Sequence, residues 1–342
     1  MSQVFVCGLG AVSPAGWGVA ALRGALDNNV PLPVQALPRP GRPQPLRTRL
    51  VPPPPARPSF LAHPRLRRTS PLTHYAAAAA LEALGSLGAR EGLRPRLGVV
   101  ACLQSGYVQY SFRFFEETLG DPATASPLVF PETVFAALAS HLATLLSHEP
   151  VATTVVGDPA GFLQGLALAA AWLEEKRVEL CLVLGAEESH WLLGDALWTF
   201  EHSAISGSGA GAVCLTQDPA LSLGVELNAI TDAHTFTSTF SRAKAAQAMR
   251  AQLPPGSATE LLCDGLNGSP RADAAESAAW RDWPGPRLSP KRILGEGLMA
   301  AAAWQCVAAC DGVARRQYRA ANVSVAGPNQ MALGARFERT EE

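Results

Sequence analysis

The chain has 342 residues, 48% of them hydrophobic, and its 28 Lys and Arg against 29 Asp and Glu leave a formal net charge of -1. That length and apolar content provide for a large core, in one big domain or two fused halves, and exclude disorder as the default state. Balanced, dispersed charge excludes the basic footprint of a nucleic-acid binder.

Residues 4–9 form an apolar run ending in Gly8-Leu9-Gly10, which predicts a buried strand turning into a loop. Residues 31–71 are crowded with Pro and Arg. Proline cannot donate ladder hydrogen bonds, so an extended surface excursion or a partly disordered segment is expected there. The Ala-rich stretch 72–87 predicts a helix, 96–103 a strand, and 131–147 an amphipathic helix opened by Pro131. Residues 151–156 read as a strand, 160–175 as a nearly all-apolar buried helix, and 180–185 as another buried strand. That order implies a parallel sheet covered on both faces. The theme returns in strand-like stretches at 210–215 and 223–230, a helix at 238–252, a short strand at 260–263 and a helix at 272–280. A second small-residue helix at 297–310 and strands at 322–326 and 331–337 complete it. Two such halves suggest an internally duplicated α/β architecture.

Seven Cys (Cys7, Cys102, Cys181, Cys214, Cys263, Cys306 and Cys310), odd in number and without a CxxC pair, fit reduced thiols in a cytosolic protein and make a zinc site unexpected. His141, His190, His202 and His234 lack a metal-ligand spacing, so neither a metal nor a cofactor is expected. The opening MSQVFVCGLGAV lacks a basic region followed by a signal-length apolar stretch, and Gly, Gln or charges interrupt the longest apolar runs. A soluble, cytoplasmic protein with no membrane span is the expectation. The glycines of CGLGAVSPAGWG follow a strand as in a dinucleotide loop. However, the acidic residue that such a loop places about 20 residues on, at the end of a second strand, is missing, and Pro14 interrupts the helix start. Ser206-Gly207-Ser208-Gly209 is not in the strand-to-helix setting of a nucleophile elbow.

The stretch VFVCGLGAVSPAGWGVAALRGAL resembles the start of β-ketoacyl synthases of the thiolase superfamily. SPLVFPETVFAALASHLATLL is similar to their entry to the nucleophile strand. VATTVVGDPAGFLQGLALAAAWLEEKRVELCLVLGAEE is similar to that strand, the buried helix and the next strand, and SGSGAGAVCL to the strand closing the first half. SPKRILGEGLMAAAAWQ resembles the Lys loop and second buried helix, and NVSVAGPNQMALGARFER the terminal hairpin. The resemblance implies a layered αβαβα thiolase-like fold with two pseudo-symmetric halves, 1–216 and 217–342.

It also implies where chemistry should sit. Condensing members place a Cys at the start of the buried helix, where the helix dipole and backbone N–H groups lower the thiol pKa and stabilise an oxyanion. Counting back from Leu184-Gly185-Ala186-Glu187, that position is Pro159, which has neither nucleophile nor N–H. The two family histidines fall on Asp264 and Glu296. Carboxylates there repel a malonyl carboxylate and a developing enolate. Of the family's catalytic positions only Lys291 is retained.

A general acid/base pair of Asp264 and Glu296 in one apolar cleft is one reading of these carboxylates. The other pairs one of them with Lys291 or Arg292 and uses the second as a cap, and this is preferred. Asp158 reads as the helix cap before Pro159.

Chain length factors, members in which the nucleophile is replaced, usually by Gln, pair with active ketosynthases. The resemblance therefore implies a catalytically silent subunit that partners an active ketosynthase, or itself, with acyl carrier protein as a further partner, in polyketide or fatty-acid-like biosynthesis. The alternatives are an altered-chemistry acyl-thioester hydrolase or acyltransferase using Asp264 and Glu296, and an acyl-chain or carrier-protein binding module.

Overall fold

The computed structural model describes residues 3–88, 95–146, 150–328 and 330–340. Residues 3–216 supply β1 (Phe5–Ser13), β2 (Gly16–Trp17), α1 (Val19–Asn28), β3 (Gln35–Leu37), β4 (Leu46–Arg49) and α2 (Pro71–Gly88). They continue with β5 (Leu97–Leu103), α3 (Val108–Gly120), α4 (Ala137–Leu146), β6 (Val151–Val156), α5 (Gly161–Glu174), β7 (Leu180–Glu187), α6 (Trp191–Phe200), β8 (Ser206–Gly207) and β9 (Gly209–Thr216). The remaining residues supply β10 (Val225–Ile230), β11 (His234–Thr235), α7 (Thr239–Ala251), β12 (Leu261–Cys263), α8 (Pro270–Ala279) and β13 (Arg287–Leu288). Last come α9 (Pro290–Leu294), α10 (Met299–Ala314), β14 (Ala320–Ala326) and β15 (Met331–Arg339).

The main sheet runs β13-β12-β14-β15-β10-β1-β9-β7-β5-β6. Outward from the centre, β10-β15-β14-β12-β13 repeats the order of β1-β9-β7-β5-β6. The two sets meet where Phe5 and Val6 pair antiparallel with Glu226 and Val225. β5, β6 and β7 are mutually parallel, as are β12, β13 and β14. The residues of β5, β7, β12 and β14 are buried, as a covered parallel sheet requires, while β6 and β13 lie at the edges.

Two nearly all-apolar helices fill the centre. α5 and α10 share one core cluster with strands of both sets, and Met299 of α10 packs on Gly161 of α5. α10 is buried from Met299 to Val313, and α5 buries most of its residues while Gln164, Ala167 and Glu174 face solvent. Glycine sets how closely α10 approaches: a Cβ on Gly185 would lie 2.4 Å from the Met299 carbonyl, and one on Gly211 2.7 Å from Ala303 Cβ.

The structure corrects two expectations and adds detail to a third. Gly8-Leu9-Gly10 is not a turn, because β1 runs on to Ser13. A Cβ on Gly8 or Gly10 would lie 1.9 Å from the carbonyl of Ala83 or Ala79, so these glycines serve close packing of α2 on the strand. Residues 31–71 run mostly exposed over the surface, in keeping with the first of the two alternatives; within them β3 and β4 form a small sheet with β8, and Leu46, Thr48 and Arg49 are buried. The expected helix at 131–147 is split. Pro131 lies in a 3-10 turn, Phe130–Thr133, before α4 begins at Ala137, and Ser147 lies outside the described residues.

Candidate functional site

The start of α5 is where the resemblance places a nucleophile. Pro159 is buried there. Asp158 caps the entry as expected: one carboxylate oxygen accepts the Ala160 N–H at 3.1 Å and the other the Gln330 N–H at 3.0 Å, which ties the helix start to the β14–β15 turn. The next donors are consumed in tight backbone turns. Gly161 N–H donates to the Asp158 carbonyl at 2.7 Å, Phe162 N–H to Pro159 at 3.1 Å and Leu163 N–H to Ala160 at 3.0 Å. The N–H groups of residues 160–163 are thus satisfied within the helix start itself.

A cavity of about 360 Å³ opens near this point, walled by Leu193, Leu197 and Phe200 of α6 and floored by Glu276, Lys291 and Glu296. Pro290 opens α9 at its first turn and so presents Lys291 inward. Gly295, at φ +91°, reverses the chain where a Cβ would meet the Ile205 and Ser206 carbonyls at 2.9 Å. The reversal brings Glu296 back onto Lys291, with 2.9 Å between Nζ and Oε2 and side-chain exposures of 2% and 6%. The other Glu296 oxygen accepts the Leu298 N–H at 3.0 Å, and its backbone is stitched to Ile205 and Gly207. The preferred reading of Glu296, as the partner of Lys291, is what the geometry contains.

Asp264 is not on the cavity lining. It accepts the Ser289 hydroxyl at 2.6 Å and the Leu266 N–H at 3.3 Å, and burial pushes its carboxyl above the usual range. The alternative reading, an acid/base pair, is not assembled: a cation holds Glu296, and Asp264 sits off the cavity lining in a local turn, not at the helix cap that the preferred reading gave the second carboxylate.

Glu276 was not singled out by the sequence reading. It is 2% exposed and lines the cavity. One of its oxygens accepts the Gly265 N–H at 2.9 Å and the Ser324 hydroxyl at 2.5 Å, and that hydroxyl accepts from the Trp280 indole at 3.0 Å. Burial first, and then the charge of Asp264, raise its carboxyl to about 7. The available signal was an acid in the otherwise small and aromatic stretch AAESAAW of α8. Glu187, at the end of β7, is raised to about 7 by burial and accepts Gln104 and Ser105 N–H groups, which fixes the loop that carries Gln104 to the cavity.

Among the described residues lining the cavity there is neither a cysteine nor a histidine. All seven cysteines are buried, and burial pushes the thiols of Cys102, Cys181, Cys263, Cys306 and Cys310 well up. The histidines do other work. His141 pairs with Glu132 at 2.8 Å, His190 caps α6, His202 stacks on Trp198 and His234 contacts Gln252. Among the described residues no group of His, Cys, Asp and Glu converges for a metal ion, and no helix is long and apolar enough to cross a membrane.

The repeated strand order around two buried helices is the thiolase-like fold, and comparison with solved structures places it among the β-ketoacyl synthase folds. The chain is similar to a β-ketoacyl synthase from Burkholderia phymatum STM815, at 18% identity over 100% of both chains with a TM-score of 0.81. It is also similar to the ishigamide ketosynthase/chain length factor, at 18% identity over 99% of this chain and 100% of that one, TM-score 0.80. A third is a ketosynthase in complex with its chain length factor from Xenorhabdus doucetiae, at 14% identity over 99% and 98% of the two chains, TM-score 0.79. No protein-family model and no curated protein sequence matches this chain.

Proposed function

We propose that this chain is a catalytically silent, chain-length-factor-like subunit, built from halves 1–216 and 217–342, that partners an active ketosynthase in polyketide or fatty-acid-like biosynthesis. The observation that carries the reading is the helix start at Pro159: no nucleophile, and every N–H from Ala160 to Leu163 already bonded. The Lys291–Glu296 pair supports it, because a carboxylate at a family histidine position opposes an enolate. Two of the similar solved structures carry chain length factors in their names, one in complex with its ketosynthase. A third is described as an acyl-carrier protein in complex with its ketosynthase, which makes such a carrier a further candidate partner here.

Association is proposed through β6. It is an edge strand, paired on one side to β5, with Val151 at 37% and Val156 at 51% exposure. An uncovered apolar edge invites strand pairing. An obligate interface of roughly 2,000 Å² or more is expected. The test is co-expression with a ketosynthase from the same gene cluster, followed by native mass spectrometry. A one-to-one heterodimer supports the proposal, and a stable monomer at micromolar concentration beside a free ketosynthase refutes it.

A further inference from the structure

The Pro- and Arg-rich segment preceding α2 is stitched to three elements at the cavity, of which α6 and α9 line it and β8 lies behind Glu296. β4 pairs in parallel with β8, Thr48 opposite Ser206 and Arg49 opposite Gly207, and Gly207 in turn donates to the Glu296 carbonyl at 2.9 Å. The buried Arg49 guanidinium donates to the Arg292 carbonyl at 3.0 Å, within the short helix that carries Lys291, and to the Leu32 carbonyl at 2.8 Å. On the third element, α6, Leu37 and Leu46 pack against Gly194 so closely that a Cβ there would lie 3.1 Å from Leu46 Cδ1.

The same helix is gripped electrostatically. The Arg39 guanidinium, 10% exposed, pairs with Asp195 and lies over the Trp198 ring, 4.5 Å from its centroid. Asp195 and Trp198 do not line the cavity, whereas Leu193, Ala196, Leu197 and Phe200 do. Arg39 therefore holds one side of a helix, the side packed on β3 and β4, whose other side lines the cavity. A planar guanidinium that pairs and stacks at once fixes both position and rotation, which an ammonium cannot do.

We infer that Arg39 is a positioning residue for the cavity: with β3 and β4 it clamps α6 and so sets how open the wall at Leu197 and Phe200 stands. The inference rests on the cavity alone and not on the identity of any partner subunit.

The test exploits the burial of all seven native cysteines. A Leu197→Cys variant places a thiol on the cavity wall, and its alkylation by N-ethylmaleimide is timed by intact mass with and without Arg39→Ala. Loss of a partly exposed ion pair and its aromatic contact predicts about tenfold faster labelling at position 197. Arg39→Lys, which keeps charge without the planar fork, should fall between the two. Native cysteines should stay unlabelled throughout. Unchanged labelling at position 197 overturns the inference, and so does equal acceleration at the native cysteines, which would report general loosening. Should Arg39→Ala fail to fold, Asp195→Asn removes the same grip from the other side and is read by the same two outcomes.

Discussion

Lys291→Met removes the ammonium from the buried pair and leaves the Glu296 carboxylate with the Leu298 N–H. Both partners are nearly sealed from water, at 2% and 6% exposure, so the surface-pair median of about 0–1 kcal/mol does not apply. Removing one member of a buried pair strands the other charge and costs about 3–5 kcal/mol. Lys291→Met/Glu296→Gln removes both charges and keeps a side-chain acceptor for Leu298. It should recover most of that loss, to within about 1–2 kcal/mol of the parent, because a neutral, well-packed replacement of a buried pair is often tolerated. Guanidinium unfolding of the parent, both single variants and the double variant closes the cycle. The coupling should be large, with each single variant worse than the double. Single variants that each cost under about 1 kcal/mol and add in the double would show that water reaches the pair, and the reasoning would fail.

Glu276 gives a pH signature. Its folded carboxyl is raised to about 7, so the folded state holds an extra proton between the ordinary glutamate value and that point, and stability falls as pH rises through this window. Glu276→Gln should flatten part of the fall and stabilise the protein at pH 8 by on the order of 2–3 kcal/mol in thermal or chemical unfolding; Glu187, raised in the same way, should leave a residual slope. Gly185→Ala pushes a Cβ to 2.4 Å from the Met299 carbonyl and should cost more than about 3 kcal/mol, seen as loss of soluble protein or a large drop in Tm. Thr154→Lys or Val155→Lys on β6 should break the proposed dimer by burying an unpaired charge, and light scattering of the parent and variants checks it.

The sequence pattern located most of the layered fold because its strongest signals are physical necessities. Stretches such as 160–175 and 297–310 are apolar enough that most of each must be buried, and the expected bounds of both helices lie close to the observed ones. What misled was residue type without a partner in view. Glycines in β1 looked like a turn, because the helix that lies against them comes some seventy residues later. At 31–71 the proline and arginine pattern gave the surface path but not its anchors, because the groups held there, Asp195, Trp198 and the Arg292 carbonyl, are distant in sequence. At the candidate site, the Lys291–Glu296 pairing was legible from a five-residue spacing broken by Gly295. Glu276 was not, since burial of a single acid on a short helix is decided by tertiary packing against Ser324 and Trp280.

The central claim is that the helix start at Pro159 does no acyl chemistry. Incubating the purified chain with malonyl-thioester or an acyl-thioester and following decarboxylation together with peptide mass tests it directly, since a nucleophile at this site would form a covalent acyl intermediate. The predicted result is no decarboxylation and no acyl mass on residues 157–161, with Pro159→Cys still failing to condense because no histidine is among the described residues lining the cavity and Glu296 is paired with Lys291. An acylated peptide from residues 157–161 of the unaltered chain would contradict the account.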